Sequence, residues 1–327
     1  VEIDAHSSGC VFDLHIFFWL YFRIVLNRKN HIFGGCMSVL GPLPEGLACR
    51  PIEEADWPGV IDCLRRGFPE RSQRHWEGAL ERMSGCSAVQ DLPRYGYLLD
   101  CEGGVVGVLL ALYFRHPGDA IRCNLSSWAV DEEFRSYAGK LIMTAMRRRD
   151  VTFLSITPAP VTLKVTEALR FRRFAEGQQA FVPLLSRATG AIRAVVARPG
   201  LAELDRLPEE DRTLLLDHAA LGCDSVVCLD GDDAYPFVLK PRRVLRGLIP
   251  CSQVIYCRLH ADLSRCAHAL GRHLARKGLF FAVVDACGPV PGLTGRYFAG
   301  VGPKYAKGPN PPWPGDLAFT EFAVFDA

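Results

Sequence analysis

Hydrophobic positions along this chain fall into strand-length runs that alternate with helix-spaced stripes. Residues 48–52 read as a first strand. Residues 53–68 carry acidic side chains in their first turn and place Trp57, Val60, Ile61 and Leu64 on one face, which predicts a helix. A second, short helix is expected over 75–83. Two apolar runs, 95–100 and 105–114, flank Cys101-Glu-Gly-Gly104, whose glycines suit the positive φ of a tight hairpin turn. A strand over 121–130, a helix over 140–149, a strand over 151–157 and a helix over 161–169 follow. This alternation predicts an α/β chain built on a mixed sheet.

The second half runs through the same order. Residues 226–230 and 234–240 flank Gly231-Asp-Asp233 as another hairpin, and 253–259 read as a strand. Residues 261–277 predict an amphipathic helix, with Leu263, Ala267, Leu270 and Leu274 at spacings of 4, 3 and 4, stopped by Gly278. A buried strand over 279–286 comes next. An architectural repeat of 95–157 is therefore expected, although the halves share little identity. The Gly- and Pro-rich stretch 300–315 reads as a long connector to a last strand over 317–325. Lys304, Tyr305 and Lys307 within it are positioned in sequence to face an anionic acceptor. Lys240, Arg242, Arg243 and Arg246 read as a solvated strand end.

The segment richest in chemistry is Ser126-Ser-Trp-Ala-Val-Asp-Glu-Glu-Phe-Arg-Ser-Tyr-Ala-Gly-Lys140, which joins a strand to a helix. The first turn of that helix meets Arg135, Gly139 and Lys140. Such a start presents unpaired backbone N–H groups and the positive end of the peptide dipoles, a setting that holds phosphate. The competing reading is an ordinary strand–helix turn with solvated charges.

The order Val130-Asp-x-x-x-Arg135, then Gly139 and a helix, resembles the acyl-CoA-binding segment of GCN5-related N-acyltransferases (GNAT). In that family an R-x-x-G-x-G/A loop cradles the CoA pyrophosphate. Glu167-Ala-Leu-Arg-Phe-Arg-Arg-Phe174 resembles the family's YEKLGF segment, where a helix ends and a last strand begins. The resemblance covers roughly residues 47–185. Together with the repeated order of elements it implies an α/β mixed-sheet chain of two tandem acyl-CoA N-acyltransferase-like domains, 37–187 binding acyl-CoA and 188–327 a second, degenerate copy. It also implies acetyl-CoA or another acyl-CoA as co-substrate, with no metal. Trp128, Ala129, Val130, Arg135, Ser136, Tyr137, Ala138, Gly139 and Lys140 are the cofactor-binding residues carried over from it. The backbone of 128–130 would polarise the thioester carbonyl, and the loop would hold the pyrophosphate.

The implied reaction is acyl transfer to a small-molecule or peptide amine by direct attack in a ternary complex. The alternative is a non-catalytic acyl-CoA-binding or scaffold protein that keeps the fold. Ala138 and Lys140 depart from the family's small residues. Thr166 stands where many members carry a tyrosine that protonates the departing thiolate, and Arg170 replaces a glycine. The general acid and base are thus unassigned, with Ser127, Asp131, Glu132, Thr157 and Tyr137 as candidates by position. In the second half, His260-Ala-Asp262 offers no glycine or cation at the corresponding place. Asp262 reads as an N-cap that occupies the helix N–H groups and repels pyrophosphate, so one CoA site is expected, in the first half.

Composition adds limits. At 327 residues the chain has room for about two domains, and 49% hydrophobic residues suffice for packed cores. A net charge of +2 without a recognition motif does not point to nucleic acid. Thirteen scattered cysteines, an odd number, suggest reduced thiols and a cytoplasmic location. Cys257, His260, Cys266, His268 and His273 lack the paired spacing of a zinc site; His268 and His273 stand ~500° apart around a helix. Residues 11–26 are apolar but contain Asp13, His15 and Arg23, and a spanning helix needs about 20 mainly apolar residues, so no membrane anchor is expected. Acidic residues precede that run, unlike a secretory signal. Residues 1–36 are expected to be an upstream extension, with the working protein starting near Met37.

Overall fold

The computed structural model describes residues 43–188, 190–244 and 248–325. The expected extension over 1–36, with its apolar run, lies outside the described residues. Among the described residues no helix is long and apolar enough to cross a membrane.

The first half opens with β1 (Leu47–Pro51), α1 (Trp57–Gly67) and α2 (Gln73–Gly85). The hairpin β2 (Gly96–Cys101) and β3 (Gly104–Arg115) follows, then β4 (Ile121–Val130), α3 (Ala138–Ala145), β5 (Val151–Ser155), α4 (Pro160–Ala168) and β6 (Arg172–Phe181). The second half contains β7 (Arg193–Val196), α5 (Glu209–Ala220), β8 (Asp224–Asp230), β9 (Asp233–Val244) and β10 (Ile249–Cys257). It ends with α6 (His260–Ala275), β11 (Ala282–Ala286), β12 (Gly295–Lys307) and a single turn, α7 (Glu321–Val324).

Among the described residues all twelve strands form one mixed sheet, ordered β1-β2-β3-β4-β5-β12-β6-β11-β10-β9-β8-β7. The order reads alike from both edges. Each half lays five strands inward, and the centre is then crossed: β12 of the second half pairs with β5, while β6 of the first pairs with β11. β6 and β12 pair with each other between them. The parallel pairs are β4–β5 and β10–β11, bridged by α3 and α6 as parallel neighbours require.

The sheet is covered on both faces. Leu98, Val108 and Leu110 pack with Val60, Leu64, Trp76 and Leu80 of α1 and α2, and Leu99 and Leu109 pack on the other face with Leu141 and Ile142 of α3. In the second half the stripe Leu263, Ala267, Leu270 and Leu274 is buried against β8, β9 and β10 as its spacing predicts. On the opposite face Leu214 and Leu215 of α5 join Leu317, Ala318 and Ala323 of the C-terminal segment.

Several expectations fail. Residues 300–307 belong to β12 rather than to a loop. The pairing jumps from Ala299↔Gly177 to Lys304↔Ala175, and the four residues between bulge out, with Gly300 and Gly302 at φ +73° and +59°. Lys304 and Tyr305 are buried, and Lys304 Nζ donates to the Gly302 carbonyl and lies 3.5 Å from Asp285. Lys307 Nζ donates to the Leu169 carbonyl. None of the three stands free for an acceptor. The expected last strand over 317–325 ends instead as α7, because its apolar side chains pack into the cores of both halves rather than along a sheet. Lys240 is buried, and its ammonium donates to the carbonyls of Leu221 and Ala323 rather than to solvent.

Candidate active site

β4 and β5 separate part-way along their length. They pair only over residues 121–124 and 151–154. Beyond Asn124, β4 runs on as far as Val130 with β3 as its one strand partner among the described residues, leaving the fork with β5 open there. A bulge sits in this free stretch: Ser126 pairs with Leu110 and Trp128 with Leu109, so Ser127 is extra, at φ +48°. A non-glycine residue there is strained, which marks the place where β4 changes the facing of its side chains. Asn124 and Ser126 lie to the α1–α2 face of the sheet, and Trp128 packs with the α3 cluster. The buried indole Nε1 of Trp128 has no hydrogen-bond partner among the described residues.

The segment after β4 is pinned at its start. Asp131 accepts two bonds from Arg66 of α1, at 3.0 and 2.7 Å, and its N–H donates to the Val106 carbonyl. Residues 132–137 then wind into a 3-10 turn that leads directly into α3, so the helix begins earlier than the sequence predicts, at Ala138. Tyr137 stands at the N-cap without a side-chain bond to the helix N–H groups. Arg135 and Ser136 are exposed on the turn, and Arg135 lies 3.4 Å from Glu132. Gly139 is buried in the first turn of α3. Lys140 is half-buried and acts electrostatically on the Cys49 thiol of β1, which places its charge along the flank of the helix. Ala129 packs on Gly67 of α1, where any larger residue would clash with it, and Val130 pairs with Gly107. The nine residues named from the sequence thus line one side of the fork and the helix start beyond it.

The candidate acids and bases separate clearly. Asp131 is consumed by Arg66, and Glu132 is exposed beside Arg135. Thr166 is buried and donates to the Thr162 carbonyl one turn back, so its hydroxyl is spent within α4. Thr157, just past β5, is exposed at the fork, and its hydroxyl donates to Glu321 at 2.5 Å. Sequence reasoning passed over Glu321. The second carboxylate oxygen of Glu321 accepts from the Ser126 hydroxyl, which also contacts the Ser127 hydroxyl at 3.1 Å. The Glu321 N–H donates to Asn124 Oδ1 at 2.7 Å. This half-buried carboxylate therefore spans the mouth between β4 and β5. Burial raises its pKa above the ordinary glutamate range, opposed by its bonds to Ser126 and Thr157 and by Lys304 and Arg71.

The corresponding fork in the second half is filled. β10 and β11 pair only at Ser252↔Ala282 and Gln253↔Val283, but residues 315–317 enter the gap. The Cys257 N–H donates to the Gly315 carbonyl, the Leu317 N–H donates to the Ile255 carbonyl, and Tyr256 bridges to Asp316. The Trp313 indole N–H donates to the Cys257 carbonyl at 3.1 Å. At the start of α6, Leu259 is the N-cap and Asp262 is the third helical residue, correcting the N-cap expectation. Its position in the first turn does place an acidic side chain at this helix start. The three histidines of this region have other partners: His260 binds the Asp285 carbonyl, His268 the Leu184 carbonyl and His273 the Asp224 carboxylate.

A mixed sheet forked at a parallel pair, with a helix start at the open end, is the architecture of GCN5-related N-acetyltransferases, and this chain has that fold. A GCN5-related N-acetyltransferase from Anabaena variabilis superposes with a TM-score of 0.53 at 11% identity, over 80% of this chain and 72% of that one. One from Kribbella flavida gives 0.52 at 14% identity, over 80% and 71%. A GCN5-related glucosamine N-acetyltransferase region of a fungal multi-domain β-N-acetylglucosaminidase gives 0.54 at 11% identity, over 81% of this chain and 38% of that one. No protein-family model and no curated protein sequence matches the chain.

Proposed function

We propose that the chain is an acyl-CoA-dependent N-acyltransferase made of two tandem GNAT-like halves, of which only the first keeps a donor site. The observation that carries this reading is the contrast between the forks: β4–β5 is open and ends at an uncapped helix start, whereas β10–β11 is filled by residues 315–317. An acyl-pantetheine arm fits the open fork as a surrogate strand beside 126–130, where β4 has no strand on its β5 side among the described residues and the buried Trp128 indole N–H has no partner among them. The pyrophosphate then meets the start of α3, with Arg135 alongside. The acceptor is a small-molecule or peptide amine, and the setting is cytoplasmic.

Titration calorimetry of the full chain with acetyl-CoA tests the donor site. One equivalent should bind, and Arg135→Ala should weaken it about tenfold, the loss of one charge-assisted contact of ~1.4 kcal/mol to an exposed phosphate. Two equivalents, or none, would defeat the reading. The engaged Thr166 hydroxyl favours a second reading, a scaffold that binds acyl-CoA without turnover. Release of free CoA on adding primary amines separates the two.

A further inference from the structure

We infer that Glu321, carried into the first half's fork by the C-terminal segment of the second half, is the general base that deprotonates the acceptor amine. The inference rests on the acyltransferase reading and assigns the group that reading lacks. Three placements support it. Glu321 reaches Ser126 on β4 and Thr157 just past β5, the two points between which the strands diverge, so its oxygens face the place where a thioester in the fork would end. It lies on the α1–α2 side of the sheet, opposite α3, so donor and acceptor approach from different faces. It is also held against rotation. Its backbone is bonded to Asn124, Phe319 before it stacks on Phe114 at 4.7 Å, and Asp316 forms an ion pair with Arg122 of β4.

Burial is the largest influence on the carboxylate and raises its pKa, opposed by the bonds from Ser126 and Thr157 and by the charges of Lys304 on β12 and Arg71 in the α1–α2 connection. His116 and His218 pack on Phe319, and burial keeps both neutral. The Arg122–Asp316 pair is internally neutralised. In the reaction the amine nitrogen bonds to the thioester carbonyl carbon and the C–S bond breaks with its electron pair going to sulfur. The proton lost by nitrogen goes to Glu321, which passes it to the departing thiolate directly or through a water. The products are the amide and CoA, with Glu321 restored. Ser126 and Thr157 position the carboxylate.

The test compares wild type with Glu321→Gln, an isostere, by CoA release from acetyl-CoA over a panel of primary amines: a polyamine, an aromatic amine and a lysine peptide. Glu321→Gln should lower kcat ~100-fold or more, leave acetyl-CoA affinity within twofold, and abolish the acidic limb of the kcat/KM profile. That limb should lie above the ordinary glutamate pKa in wild type. Stability provides an independent readout. Because the folded-state pKa is raised, wild type should lose stability relative to Glu321→Gln as pH rises from the unfolded-state value through the folded one, and the two should converge at lower pH. A purely structural carboxylate would make the variant the less stable protein at neutral pH. Acetyl-CoA binding with kcat within threefold in Glu321→Gln overturns the assignment and leaves the acyltransferase reading standing. Acetyl-CoA binding without turnover of any amine overturns the assignment together with catalysis. Failure to bind acetyl-CoA defeats the donor site itself.

Discussion

Arg122→Met is expected to lower the stability of the chain by about 3–5 kcal/mol, the usual result of leaving a buried charge without its partner. Arg122 Nη1 lies 2.5 Å from Asp316 Oδ2, with side chains only 11% and 3% exposed. Methionine keeps most of the aliphatic volume but strands the Asp316 carboxylate in a setting where water does not replace the guanidinium. The other Asp316 oxygen accepts from the Ala318 N–H at 3.2 Å, one neutral bond against the lost cation. Removing both charges should recover much of the loss, so Arg122→Met with Asp316→Asn should be more stable than Arg122→Met alone. Urea unfolding of the two single variants and the double gives the coupling energy directly. Additive losses would mean that the pair contributes nothing beyond its separate side chains.

The position of this pair matters beyond stability. Asp316 belongs to the segment that fills the β10–β11 fork, and Arg122 lies on β4 where it still pairs with β5. One ion pair thus ties the closed fork of the second half to the open fork of the first. Five residues after Asp316 the same segment sets Glu321 at the open fork. The filling of the second half's fork and the delivery of a carboxylate to the first are two consequences of one path of the chain.

Local patterns made half of this legible. The strand over 121–130, the helix after it and the strand from 151 rest on near-neighbour periodicity and on a loop of distinctive composition, and the structure places all of them. The filled fork and Glu321 had no such signal. Glu321 meets Ser126 across 195 positions of sequence and sits in a run that reads as a plain last strand, with nothing to mark a role. β12 was hidden by the glycines of its bulge, which read as a loop because positive φ and strand are locally incompatible. β7 and α5 drew no expectation. In α5, Leu214, Leu215 and Leu216 are consecutive, so the apolar residues do not resolve into a stripe. The repeat was visible as an order of elements, but the crossing of β6 and β12 was not, since exchange alters which strands pair without altering their sequence.

That crossing sets the second large expectation: residues 43–187, expressed without the rest, should not give a folded monomer. The piece retains β1 to β6, yet β6 loses both of its neighbours, β12 and β11. β5 loses the pairing of residues 153–155 with 305–307 and becomes a bare edge. The helical face loses Val324 and Phe325 from the α1–α2 cluster, and Arg82 loses the Val324 carbonyl it binds at 2.6 Å. Phe181 and Ala175, 1% and 0% exposed in the whole chain, would face water on one side. Each large apolar side chain so uncovered costs ~1.5–3 kcal/mol, and a few of them exhaust the ~5–15 kcal/mol by which domains are usually stable. Unpaired central strands also template aggregation. Sedimentation and circular dichroism of the isolated piece should therefore show aggregate or an expanded chain. Co-expression with residues 188–327 should restore a soluble one-to-one complex, because the two pieces complete each other's sheet. A folded, monomeric first half melting cooperatively near the temperature of the whole chain would show that β6 can take another place in the sheet, and that the halves are joined rather than interlocked.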